Sequence, residues 1–160
     1  MKDLLLQYIN IIDSEYIQIF IISMAPITEL RFSIPYGILI KNLNIYNVVF
    51  VSVLGNIIIG ILIICIIAPI MEALRKINYL NKIINFIFKR TLNKSKIIER
   101  IKFWGLVIFI GIPLPFTGVW TGSLASYLLR IPKKISITAI ILGVLISSSI
   151  VTFISVSTIK

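Results

Sequence analysis

The chain has no histidine, a single cysteine, and only six Asp and Glu to set against sixteen Lys and Arg. Without histidine there is no His-ligated zinc site and no imidazole acid–base chemistry. One thiol, Cys65, makes neither an internal disulfide nor a thiolate cluster, and inside an apolar run it reads as a packing residue. No metal or other cofactor is therefore expected. Charge is scarce as well: 14% of residues, where a soluble domain has about 25%. What fills the chain instead is apolar, since 58% of its 160 residues are hydrophobic and the mean hydropathy is +1.04. That composition predicts an all-α integral membrane protein with one membrane domain over 1–160. Asp3, Asp13 and Glu15 precede the first long apolar run, so the start does not read as a cleaved signal peptide, and residues 1–15 read as an interfacial helix.

Four tracts, Tyr16–Ile40, Asn47–Ile67, Phe103–Leu129 and Ile135–Thr158, reach the ~20 residues that cross a ~30 Å hydrocarbon layer. The second and fourth hold no charge and no proline and predict transmembrane helices. The first is interrupted by Pro26 and Pro35, which bracket Glu29 and Arg31; the third is interrupted by Pro113 and Pro115, followed by Gly118. Proline removes a backbone donor and pushes the preceding residue out of the helical region. Irregular backbone at membrane depth survives only where protein buries it or where it lines a wet cavity. The expectation is two re-entrant hairpins or broken helices plus two transmembrane helices, divided into half 1 (16–67) and half 2 (103–158).

If both broken tracts cross, eleven Lys and Arg lie inside against four outside; if both turn back, the division is twelve against three. The positive-inside rule prefers hairpins, and hairpins set the halves in opposite orientation, as an inverted repeat. Between the halves, residues 68–102 carry nine Lys and Arg against Glu72 and Glu99, with Ile77, Leu80, Ile84, Ile87 and Phe88 near helical spacing. This predicts a cytoplasmic, basic amphipathic loop on anionic lipid headgroups. Nucleic acid is the other partner such charge suits, but no recognition motif accompanies it.

Glu29 and Arg31 are the charges inside the apolar tracts, and each costs about 2.5–3.5 kcal/mol at the bilayer centre. Residues two apart point to opposite sides of a helix, so they pair locally only where the backbone is unwound; otherwise Glu29 needs another cation, and Arg130 is available. The plain reading is an ion pair that locks a hairpin, and the functional one is a carboxylate that loads and unloads a proton. After the second break a helix should restart, with Thr117 as N-cap, and its N-terminus would attract a phosphate or carboxylate with Arg31 or Arg130 as charge partner. Trp120 reads as an interfacial anchor or, if the tract is a hairpin whose tip lies deep, as a wall of that site. Small residues at Gly118, Gly122 and Ser126, at Ser52, Asn56 and Gly60, and at Gly143 and Ser147 predict close helix packing, with Asn56 the strong hydrogen-bonding group among them.

Pro26-Ile-Thr-Glu29-Leu-Arg31, Ile34-Pro35-Tyr-Gly37, Ile112-Pro113-Leu-Pro115-Phe-Thr117-Gly118-Val-Trp120-Thr121-Gly122 and Gly143-Val-Leu-Ile146 together resemble the small multidrug export protein family, from about Ile21 to Val151. The chain departs from that pattern at Phe32-Ser33 and at Phe116. The resemblance implies a multi-pass protein of the bacterial or archaeal cytoplasmic (inner) membrane. The architecture is also similar to the DedA superfamily, where re-entrant hairpins and inverted repeats go with proton-dependent phenotypes and proposed polyprenyl-phosphate flipping. By that likeness Glu29 would bind the proton, and Arg31 and Arg130 would handle an anionic headgroup. The expected function is a proton-coupled transporter, exporting small amphiphiles or moving a lipid-linked phosphate, with a non-transporting scaffold as the other class. An enzyme is not expected, because no catalytic set accompanies Glu29. Partners would be membrane lipids, the substrate, protons and a second copy of the chain meeting along the small-residue stripes, with no nucleic acid.

Overall fold

The computed structural model describes residues 14–75, 96–114 and 117–158, and every regular element among them is helical. Helix α1 (Glu15–Met24) ends at a short break, and α2 (Glu29–Pro35) runs on into a π-helical turn over Tyr36–Ile40. Then come α3 (Ile45–Arg75), α4 (Lys96–Gly111), α5 (Val119–Leu128) and α6 (Lys133–Ser157). Two helical stretches, Ile45–Ile70 and Lys133–Ser157, are long and apolar enough to cross a membrane.

Both broken tracts fold back on themselves. In the first, the Tyr36 hydroxyl donates to Gln18 Oε1 at 3.3 Å, Gly37 lies against Ile19, and Lys41 Nζ pairs with Glu15 Oε1 at 3.3 Å. Residues from the start of the tract thus meet residues from its end. In the second, Gly122 lies against Ile110, and Lys102 Nζ donates to the Leu129 carbonyl at 2.8 Å. Each hairpin closes in a turn with one left-handed residue, Asn42 (φ 51) and Arg130 (φ 54), three positions before the next long helix. Leu43 N–H then donates back to Gly37 O at 3.0 Å and Ile131 N–H to Ser126 O at 2.9 Å, capping exposed carbonyls. The left-handed conformation costs an L-residue about 1–2 kcal/mol, with asparagine among those that tolerate it best.

The first arm of each hairpin packs on the long helix of its own half: Gly55 of α3 lies against Phe20 and Ser23, and Gly143 of α6 against Val107 and Ile110. The two glycines stand equally far from their helix starts. The second arms cross over, α2 to α6 and α5 to α3, where Gly60 meets Val119. The interior mixes an apolar cluster, including Ile19, Ile34, Val48, Ile110 and Ile140, with many small polar groups. Ser23, Ser33, Ser52, Asn56, Ser123, Ser136 and Ser147 are buried, while Phe50, Leu54, Ile58, Leu62, Ile66 and Ile70 form an outward stripe along α3. A soluble monomer rarely presents so long an apolar face to water.

Several expectations change. Pro35 breaks nothing: the helix passes through it, and because Pro35 cannot donate, the ladder shifts by one residue, with Lys41 N–H reaching Tyr36 O. The interruption is Ala25–Thr28, around Pro26. Cys65 is exposed on the outward side of α3 and does not pack inside. Residues of the small-residue stripes, among them Ser52, Asn56, Gly60, Gly122, Ser126, Gly143 and Ser147, pack against other helices of the same chain. The 68–102 segment is entered by α3 and left by α4; residues 76–95, like Pro115, Phe116 and residues 1–13 of the expected interfacial helix, lie outside the described residues.

Candidate functional site

The tips of the two hairpins meet. A helix end leaves its last carbonyls without intrahelical donors, and α1 has three such groups supplied from three places. The Thr28 hydroxyl donates to Ile22 O at 2.7 Å, Asn56 Nδ2 of α3 to Ser23 O at 2.8 Å, and the Trp120 indole N–H of α5 to Met24 O at 2.9 Å. Each bond ties a different element to the end of α1, which is why Asn56 and Trp120 are polar groups in an apolar chain.

Just beyond this end Glu29 takes a left-handed backbone, φ 46, at the first position of α2. Its carboxylate points across to the other tip and accepts from the Trp120 backbone N–H at 3.3 Å, with the Val119 N–H also directed at it. Those are the first N–H groups of α5. The N-terminus of α5 therefore does attract an anion, and that anion is Glu29, 91 residues earlier in the chain. The capping residue is Gly118, not Thr117. Gly118 sits at φ 123, and a Cβ built there would fall on the Glu29 carboxylate, so only glycine lets the two approach. The Thr117 hydroxyl is turned back into its own loop, between the Ile112 and Leu114 carbonyls at 2.8 and 2.7 Å. Pro113 lies in this loop, where its missing N–H goes unneeded.

Arg31 completes the clasp. Nη2 donates to the Thr117 carbonyl and lies 3.1 Å from its hydroxyl, and it stands 3.7 Å from Glu29 Oε2. The pairing is local because the left-handed turn at Glu29 frees the acid from the helical direction that would set it opposite Arg31. Arg130 is not the partner of Glu29: it lies past the far end of α5, a helix of about 15 Å, beside a different cavity. The alternative pairing fails on that distance. With both charges largely withdrawn from solvent at a cost of a few kcal/mol each, three charge-assisted bonds of about 1.5–3 kcal/mol apiece are on the scale needed to hold them.

Pro26, Ile27, Glu29, Arg31, Thr117, Trp120 and Thr121 enclose a cavity of about 220 Å³. Arg31 Nε is buried with no hydrogen-bond partner among the described residues. The cavity thus offers an aromatic wall, a donor still to be used, and a carboxylate already engaged. Among the described residues no group of three or more acids or thiols could hold a metal ion. No curated protein and no solved structure matches the chain. A family model does, over residues 29–150, a span that begins at Glu29 and takes in Arg31, Thr117, Gly118 and Trp120. The chain belongs to the family described as Putative small multi-drug export protein.

Proposed function

We propose that the chain is a proton-coupled exporter of small amphiphiles in the cytoplasmic membrane, gated where the hairpin tips meet. The observation that carries this reading is the Glu29 carboxylate capping a helix that belongs to the other hairpin. With the carboxylate charged, the N-terminus of α5 and Arg31 both hold it, and the tips stay together. A proton on Glu29 removes the charge that attracts both groups and leaves a weaker acceptor. The tips then part at the level where α1 and Lys102–Gly111 end and α5 begins, and the pocket opens to one side. Loss of the proton on the opposite side closes it again.

The same reading takes both hairpins as re-entrant and the two halves as an inverted repeat. Lengths support it: α1, Lys102–Gly111 and α5 are each ten residues, about 15 Å, half of a ~30 Å hydrocarbon layer. So do the paired glycines and left-handed turns. Single-cysteine labelling at Lys41 and Lys133, in a Cys65→Ala background, tests it: hairpins require the two positions on opposite faces, and labelling from one face rejects them.

Transport is tested by reconstituting wild type and Glu29→Gln in vesicles under a pH gradient. The variant is expected to insert normally and to lose proton-dependent uptake; unchanged uptake across the pH series removes Glu29 from the mechanism. A second reading, movement of a lipid-linked phosphate between leaflets, draws on the Arg31 donor without a partner and on a carboxylate already engaged, which an organic cation would have to win from Arg31. Headgroup flipping and drug uptake measured on the same vesicles separate the two. A scaffold that transports nothing would fail both.

A further inference from the structure

Asn56 is 1% exposed, and only half of its amide is used. Nδ2 donates to the Ser23 carbonyl, a group that can only accept, and this fixes which way the amide is turned. Oδ1 is then buried with no hydrogen-bond partner among the described residues. A buried acceptor left so is costly, and it calls for a reason. Packing is not the reason: Gly55 and Gly143 hold the same place in their helices, and the residue after Gly143 is Val144, which is fully buried. Capping is not the reason either, since a hydroxyl, that of Thr28, serves the neighbouring Ile22 carbonyl. What the amide adds is an acceptor that still wants a donor.

A protonated Glu29 supplies one. As a carboxylate Glu29 only accepts, from the Trp120 N–H, with Arg31 Nη2 at 3.7 Å; with a proton it gains an O–H to donate. Asn56 stands beside the contact that Glu29 makes. The consecutive carbonyls of Ser23 and Met24 take their bonds from Asn56 and from the Trp120 indole, and the backbone N–H of that same Trp120 holds Glu29. One turn on from Asn56, Gly60 meets Val119, whose N–H is also directed at Glu29. Among the described residues the charge acting on Glu29 is that of Arg31, on its own helix; α5 offers it backbone N–H groups, and α1, α3 and α6 direct no titratable group at it. A proton shifts a two-state contact only as far as the two states differ in what they bind. Losing the charge weakens the closed state, and an acceptor for the new O–H stabilises the other.

We propose that Asn56 Oδ1 receives the O–H of protonated Glu29, directly or across one water, so that the carboxyl leaves the N-terminus of α5 for α3 as it takes up its proton. Asn56 is then a positioning residue of the gate. The inference rests on the proton-coupled reading above, and its test needs no substrate. Full-length wild type, Glu29→Gln, Asn56→Leu and Ser52→Ala are placed in phosphatidylcholine vesicles, and the protonated carboxyl band is followed by infrared difference spectroscopy against pH. The Glu29 part of the band is the part that Glu29→Gln removes. Asn56→Leu takes away a partner that only the protonated form uses, so its titration midpoint should fall by about half to one pH unit, the equivalent of one hydrogen bond. Asn56→Thr, with a shorter hydroxyl in place of the amide, should move it the same way with less lost stability. Ser52→Ala, one turn earlier on α3, breaks the buried Ser33–Ser52 bond of 2.9 Å; it should lower the unfolding temperature and leave the midpoint in place. A Glu29 band that titrates in wild type and keeps its midpoint in both Asn56 variants overturns this inference alone, as does an equal shift in Ser52→Ala. A Glu29 band absent at every pH overturns the proton-coupled reading and this inference with it.

Discussion

The two hairpin tips do different work. The first is short, spans Ala25–Thr28, and delivers side chains: Thr28, Glu29 and Arg31. The second is longer and answers mainly with backbone: the N–H groups at the start of α5 and the Thr117 carbonyl. Packing around them follows the same plan in both halves, so the asymmetry is chemical and not architectural. In the proposed mechanism, a titratable acid in one half set against a helix end in the other makes one charge the control of a contact between halves. Two acids facing each other would repel, and two helix ends would have nothing between them.

The sharpest way to break this division is at Gly118, where backbone shape alone permits the contact. Gly118→Ala puts a methyl group on the Glu29 carboxylate and forces an L-residue to φ 123. We expect a loss of about 3 kcal/mol or more, from strain plus the displaced charge-assisted bonds. Thermal unfolding in detergent measures it. Gly105→Ala, with nothing within 4 Å of the added carbon, is the matched control and should be neutral or slightly stabilising.

Charge comes next. Arg31→Gln removes the cation but leaves Glu29 on α5, and should cost about 2 kcal/mol. If the two charges act as one unit, Arg31→Gln combined with Glu29→Gln costs less than the sum of the singles, by about 1 kcal/mol. Strict additivity in the double-mutant cycle would mean that the first tip's charges meet the second tip separately. Trp120→Phe keeps the ring and removes the indole donor, leaving Met24 O without it; about 1 kcal/mol is expected.

The breaks around Pro26 and Pro113, and the cost of Glu29 and Arg31 inside an apolar tract, were legible from residue types alone. So were the four tracts, since periodicity and hydropathy are local. The errors have separate causes. Thr117 has the right chemistry for an N-cap, but the group that caps α5 comes from a distant part of the chain, and no local rule names it. Pro35 carries a strong breaking signal, yet near the end of a helix the lost donor costs only a shift of register. Arg130 looked like a partner because it ends the same tract as the second tip; ten intervening helical residues put it at the far end. Gly118 carried a usable signal, since glycine just before a restarting helix fits a position where side chains cannot follow.

The open ends of the hairpins extend the contrast at a smaller scale. Hairpin one is closed by the Lys41–Glu15 ion pair, with Glu15 substantially exposed; hairpin two by a hydrogen bond from the partly buried Lys102 to the Leu129 carbonyl. An exposed ion pair contributes at most about 1 kcal/mol and is screened by salt, whereas a donor at the end of a helix keeps its partner at any ionic strength. Lys41→Met should therefore lower stability by a few tenths of a kcal/mol, an effect that vanishes in 1 M salt, where the screening length falls to about 3 Å. Lys102→Met should cost about 1 kcal/mol and keep that cost in salt. Equal losses with equal salt dependence would mean that both ends are held by charge alone, and that the difference between the hairpins is confined to their tips.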